Sequence, residues 1–449
     1  MNTANSTGAS PPTSSGPTAS RRGRCRLRLY VYKAFLPHLQ LQRRSGRFFS
    51  LQSDTGSIHN TSCLEGRCQY GTFGLHNVRQ YTSEVPIYRR LVSQCPTTLD
   101  PEKADMFLIP FFFGYMMTLG WQLKSTSYSV PSLAQWKTEH REMMKAAIAS
   151  KGLLPHLNNG TARKHLVLFT CDSQFVNIDL HPLFRSVTVV HLGDDGFAGS
   201  PHRNSYLGQA GVRNSLPNGV VVPYRVSQWM PMGFTAPALA PRRFLLSMNV
   251  NLERHRIRRV IANQIMADAT RLGMPSGRLL VTSIMMAPQE AADIAISSVF
   301  CVCPTGDSKG FTARFYFVLL HGCIPIRVDG WSRNTTLAPS AFPFPNLINW
   351  SKIVIDVPPA EIASLMPQIL AMPANEIEDK QRYLRSVAHW FLFDDEVNHG
   401  HDDAPAALIH TLEQRLSCES RWCRSNDVST TSLNTRKNRG TRPSNALPQ

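Results

Sequence analysis

Residues 301–326 read CVCPTGDSKGFTARFYFVLLHGCIPI and bring a glycine turn, an acid, a hydroxyl and one arginine into a short span. The first apolar run stops at Pro304, because proline has no N–H to continue a ladder. Gly306 permits a tight turn, and Asp307 and Ser308 carry side-chain oxygens that can cap a following helix. The spacing predicts that helix over 311–321, with Gly322 in the left-handed position beyond its end. Arg314 then falls in the first turn, where free N–H groups and the positive end of the helix dipole favour an anion. A guanidinium fork fits phosphate oxygens, and Gly310 would let the backbone approach them closely. Two readings stay open for Arg314, a phosphate ligand or a solvated charge. The segment is not a P-loop, since no G-x-x-x-x-G-K-[ST] occurs.

Elements of a parallel α/β protein are expected to position these residues. Strands are predicted over 27–32, from Asp105 through "DMFLIPFFF", and over 165–170 and 186–192, with helices over much of 76–94 and over 132–150. Continuous apolar strands alternating with helices argue for buried parallel sheets. A Pro-rich stretch at 231–243 reads as a linker, and the alternation then restarts. Strands follow at 243–248, 278–283, 298–303 and 323–328, with helices at 253–268, 287–296 and 311–321. Ile257, Ile261 and Ile265 share one face of the 253–268 helix. Two such units leave a cleft, with ligands at the C-terminal ends of the strands. The expected layout is a disordered basic tail (1–24), a first domain (25–235), a second (236–395), a helical extension (396–424) and a disordered tail (425–449).

The formal charge of +17 over 449 residues is concentrated at the ends. Arg21, Arg22, Arg24, Arg26 and Arg28 have no acid among them, and after Cys418 six basic residues face only Glu419 and Asp427. The moderately basic body suits a nucleotide diphosphate or an acidic glycan. It lacks the aromatic-basic interleaving of a nucleic-acid binder, so no nucleic acid is expected. Cys63 with Cys68 and Cys418 with Cys423 could close small loops, whereas Cys301 and Cys303 are expected as core thiols. Sequons at Asn5, Asn60, Asn159, Asn334 and Asn349 lean toward a secretory lumen. No signal peptide or spanning segment is visible. Asp194 and Asp195 read as a cap, not a metal site.

The opening segment resembles the signature of exostosin-family glycosyltransferases: F-C-x-x-P-x-G-D-[ST], an arginine seven residues after the Asp, then G-C-I-P-[VI]. The likeness runs over roughly 25–395. "TTLDPEKADMFLIPFFF" (97–113), "KHLVLFTCD" (164–172), "GVVVPY" (219–224), "IRRVIANQI" (257–265), "DGW" (329–331), "PF" (343–344) and "INWSKIVIDVP" (348–358) each resemble a family motif. The resemblance implies a GT-B fold, with two Rossmann-like domains whose parallel sheets face a central cleft. The first would be the acceptor side and the second would hold the nucleotide sugar. It further implies an inverting transfer from a UDP-sugar to a glycan or glycoprotein hydroxyl, in the Golgi or another secretory lumen.

On that reading Arg314 takes the diphosphate with Lys309 as a secondary candidate, and Gly306, Asp307 and Ser308 order the turn. Asp329 and Trp331 lie near the nucleoside. No D-x-D occurs, so no metal or cofactor is expected beyond the UDP-sugar itself; a helix N-terminus and a cation would stabilise the leaving group. Inversion needs a base from the first domain. Asp172 stands at the correct end of its strand and is either that base or a helix cap, while His165 reads as structural. The chain departs from the family at Lys164, Gly219, Pro345, Asn346 and Asn349, lacks the F-x-G glycine in "FLLSMN", and inserts 332–342. The alternative is an inactive exostosin-like subunit that binds glycan or a partner glycosyltransferase.

Overall fold

The computed structural model describes residues 25–32, 83–110, 154–158, 160–170, 186–192, 218–226, 242–283, 286–304, 311–328, 342–393 and 402–420. The expected helix over 132–150, most of the linker, both tails, Cys63, Cys68, Cys423, Asp194 and Asp195 lie outside them. Within the described residues the chain is α/β, and two sheets pair strands in parallel throughout.

The first sheet is built from β1 (Leu29–Val31), β2 (Thr97–Thr98), β3 (Met106–Ile109), β4 (His165–Phe169), β5 (Thr188–His191) and β6 (Gly219–Val221), in the order β2-β1-β3-β4-β5-β6. The second contains β7 (Phe244–Asn249), β8 (Leu279–Thr282), β9 (Ser298–Pro304), β10 (Ile324–Val328) and β11 (Ile355–Val357), in the order β11-β10-β9-β7-β8. Each sheet therefore carries its second strand outside its first and continues on the other side with its third. The helices are α1 (Glu84–Gln94), α2 (Arg256–Arg271), α3 (Pro288–Ile296), α4 (Ala313–Leu320), α5 (Ile362–Ala371), α6 (Ala374–Val387) and α7 (Ala404–Ser420).

Side-chain alternation along β9 divides the core. Phe300 and Val302 point to one face, where Ile261 and Ile265 of α2 and Leu365 and Ile369 of α5 cover them. Cys301 and Cys303 point to the other, into a cluster with Phe315 and Leu319 of α4. That cluster runs on into the first half, reaching Leu29, Leu166 and Leu168 beneath Ile87 and Leu91 of α1 and Leu408 and Leu412 of α7. Burying each such side chain contributes roughly 1.5–3 kcal/mol, so one continuous core joins the two sheets. Tyr224 and Tyr316 meet in it with ring centroids 6.0 Å apart.

Helix α7 returns from the second half to the first. Arg90 of α1 and Asp403 at the foot of α7 form a buried ion pair at 2.5 Å. Further along, Arg415 donates to the carbonyl oxygens of Asn218 (3.2 Å) and Gly219 (2.6 Å), and Glu413 accepts from the Arg26 N–H (2.6 Å).

One cysteine expectation is corrected. Cys301 is not a core thiol but is bonded to Cys323, because β9 and the turn before β10 bring their Cα atoms to 5.9 Å. Cys303 remains a buried thiol. A second bond, Cys25–Cys95, ties the chain ahead of β1 to the end of α1 across a separation of 70 residues.

Candidate functional site

The second sheet reverses its winding between β7 and β9. β7 continues through α2 to the outer strand β8, whereas β9 continues through α4 to β10 on the opposite side. Ligand crevices in parallel sheets form at such a reversal, beyond the C-terminal strand ends. α2 and α4 cover opposite faces of the sheet, yet both begin at this edge. Neither is closed by its N-cap side chain, His255 for α2 and Thr312 for α4.

The entry to α4 differs from expectation. Thr312 holds extended backbone (φ −122°, ψ 162°) and the helix starts at Ala313, two residues later than expected, while Asp307 and Ser308 lie outside the described residues. The physical cause is Phe311. Its buried ring packs edge-on against Phe315 (4.8 Å) and Phe342 (4.9 Å), which fixes residue 311 outside the helix.

Arg314 is the second residue of α4 and keeps part of its surface exposed. Burial among protein atoms lowers its pKa, the Cys303 sulfur pulls the other way, and Arg258 lowers it further. Arg258 is the third residue of α2, and its Nη1 donates to the Asn251 carbonyl at 3.1 Å. Helices from opposite faces of the sheet thus begin at one edge, each with an arginine in its first turn.

Polar residues pair near the C-terminal ends of the strands. Register sets Thr282 beside Asn249, Cys303 beside Arg327, and Arg327 beside Asp356. Ser247 pairs with Cys301, the last pair of the β7–β9 register. Burial pushes the Cys303 thiol up to about 12, so it stays protonated. Arg327, fully buried, is ion-paired with Asp356 and lies 5.8 Å from the Phe311 ring centroid.

The far end of α4 is held by a two-bond turn. The Cys323 N–H donates to the Val318 carbonyl and the Gly322 N–H to the Leu319 carbonyl, both at 3.0 Å, with Gly322 at φ 72°. This is the left-handed helix stop expected for Gly322. A Cβ there would also come within 3.2 Å of the Arg242 guanidinium.

Phe344, in the "PF" motif, adopts φ 48° although it is not glycine. A left-handed side-chain-bearing residue costs roughly 1–2 kcal/mol, and strain of this kind concentrates at functional sites. The turn it starts exposes Pro345 and Asn346. Phe342 fastens that turn against the entry to α4.

At the C-terminal edge of the first sheet, the Thr170 N–H donates to Oε1 of the buried Glu84 at the start of α1 (2.9 Å). His165, at the other end of β4, donates from Nδ1 to the Thr161 carbonyl (2.9 Å) and accepts at Nε2 from the Tyr32 hydroxyl (2.7 Å). Burial drives its pKa down to about 4 and raises that of Tyr32, so both are neutral near pH 7. The ring stacks on Phe107 at 4.7 Å, which is a framework role.

Of the residues singled out in the sequence, Arg314 is described, in the first turn of α4. Gly306, Asp307, Ser308, Lys309, Asp329, Trp331 and Asp172 lie outside the described residues. Asp329 follows directly on Val328, the last residue of β10, and Asp172 comes two residues after Thr170. Arg258 was not singled out, although it stands in the basic helix motif "IRRVIANQI" immediately after a strand. Among the described residues no group of three or more His, Cys, Asp or Glu side chains could hold a metal ion. No helix among them is long and apolar enough to cross a membrane.

No family model and no curated protein matches the chain. Among solved structures, similarity is found to a glycosyltransferase from Rickettsia africae ESF-5, with a TM-score of 0.33, 10% identity, and coverage of 78% of this chain and 96% of that one. Anabaena Alr3699/HepE in complex with UDP and glucose gives 0.31 and 8%, covering 88% and 98%. The GtfA/B complex gives 0.31 and 11%, covering 64% of this chain but only 61% of that one, less than two thirds of its length. Likenesses with TM-scores this low carry no inference about the reaction.

Proposed function

We propose that the chain is an exostosin-type glycosyltransferase of the GT-B kind. It moves a sugar with inversion from a UDP-sugar to a glycan or glycoprotein hydroxyl. The observation that carries this reading is Arg314 in the first turn of α4, at the winding reversal of a parallel sheet and within a matching signature. Departure of UDP leaves negative charge on the diphosphate. A guanidinium and the helix N–H groups at that terminus would stabilise this charge without reorganising. This chemistry needs no metal. Asp172, on the first-domain side, is the proposed base, and the secretory lumen is the proposed location, favoured by two buried disulfides.

Purified full-length protein incubated with a panel of UDP-sugars, with and without EDTA, tests the reading. Arg314→Ala is expected to lower transfer or donor hydrolysis by about 10²-fold or more, the scale of losing one oxyanion donor. EDTA should leave the wild-type rate unchanged. Equal rates in wild type and Arg314→Ala would remove Arg314 from the chemistry, and loss of the rate in EDTA would remove the metal-free mechanism.

A further inference from the structure

We propose that Asn349 is a modification site of this chain, its side-chain amide carrying an N-linked oligosaccharide. The inference goes beyond the transfer reaction and rests only on the lumenal location proposed above. Asn349-Trp350-Ser351 has the N-x-[ST] form, and of the five sequons it alone lies wholly within the described residues. Asn349 and Ser351 are exposed, while Trp350 between them is buried and donates from Nε1 to the Pro343 carbonyl (2.8 Å). The fold holds this segment by its backbone and not by the Asn349 side chain. The Asn349 N–H donates to the Tyr383 hydroxyl of α6 (2.8 Å), and the Ser351 carbonyl accepts from Lys380 Nζ of the same helix (3.2 Å). Asn349 precedes the short 3₁₀ turn Trp350–Lys352, yet its side chain does not cap it. Instead Oδ1 accepts from the Ser351 hydroxyl at 2.7 Å, and Nδ2 makes no hydrogen bond among the described residues. An N-linked oligosaccharide is bulky and needs a surface position, which this segment gives, and the nitrogen that would carry it has no other task. In the step, the bond from Nδ2 to the anomeric carbon forms as the carbon–oxygen bond of a polyprenyl-diphosphate-linked oligosaccharide breaks. One amide proton passes to a base of the transferring enzyme and the polyprenyl diphosphate leaves, with no change of oxidation state.

The test takes the full chain from the cells that make it and digests it without reduction. The peptides containing Asn349, Cys25–Cys95 and Cys301–Cys323 are weighed before and after treatment with a peptide N-glycosidase. The Asn349 peptide is expected to carry an oligosaccharide whose release converts the asparagine to aspartate. In the same cells Asn349→Gln and Ser351→Ala should each lose one glycan's shift in gel mobility, and Ser351→Thr should keep it. An unmodified Asn349 in chains whose disulfides are formed, or whose other sequons carry glycan, overturns the proposal and leaves the lumenal location standing. Reduced cysteines together with no glycan at any sequon overturn both. Loss of the shift in Ser351→Thr as well as in Ser351→Ala also overturns the proposal, since a sequon accepts either hydroxyl residue.

Discussion

Both sheets follow the same winding plan, with the reversal between their first and third strands, but the described residues on their strands differ in chemistry. In the first half, the rings of Tyr30, Tyr32, Phe107, His156 and His165 pack together, with centroids between 4.7 and 6.2 Å apart. The second half carries an arginine in the first turn of α2 and another in the first turn of α4, and polar pairs at the ends of its strands. Strand order therefore says where a ligand can sit and not which ligand. The charge at the edge decides that.

The disulfides repeat the contrast. Cys25–Cys95 closes 70 residues in the first half, and Cys301–Cys323 closes 22 in the second, a loop that contains all of α4 and Arg314. Loop-closure entropy predicts that removing Cys25–Cys95 by serine substitution costs about 4 kcal/mol of unfolding free energy. UDP affinity at a temperature where the variant is folded should not change. Removing Cys301–Cys323 should cost less, about 3 kcal/mol, and should also weaken UDP binding. Chemical denaturation beside UDP titration separates the two, and equal effects on binding would erase the contrast.

Acid distinguishes the halves next. His165 is neutral in the fold with a pKa of about 4, against 6.5 for the free side chain, so the unfolded chain takes up the proton first as pH falls. Stability is then full above pH 6.5 and declines toward pH 4, by at most about 1.4 kcal/mol per pH unit from this residue. Melting points across that range should show the slope in wild type and a shallower one in His165→Gln. Burial also lowers the pKa of His321, at the end of α4, which adds a slope of the same sign.

The smallest expected effect is at the helix stop of the second half. Gly322→Ala forces a side chain into φ 72° and against Arg242, at an expected cost of about 1–2 kcal/mol in a denaturation experiment.

Much of the second half was legible from the sequence. Pro304 and Gly322 punctuate the chain, and the apolar spacing of 253–268 and 311–321 is helical, so strands and helices fall within a few residues of their predicted ends. Thr97–Thr98 was not legible, because two threonines at a sheet edge carry no apolar pattern. Disulfide partners were hidden as well. Cys25 sits in an arginine-rich stretch with nothing to point at Cys95, and Cys301 reads as a core residue until β10 is folded beside it. Arg314 stood out as the single arginine of an apolar segment. Arg258 did not, because it is one of several arginines in a row, and only the sheet order brings it to the same edge.

The central claim is that the reversal of the second sheet, and not that of the first, is where a nucleotide diphosphate binds. Amide hydrogen exchange of the full chain with and without saturating UDP tests it most directly. The account predicts slowed exchange at the starts of α2 and α4, over 256–262 and 311–317. Slowing confined to 84–94 and 165–170, or none anywhere, would contradict it.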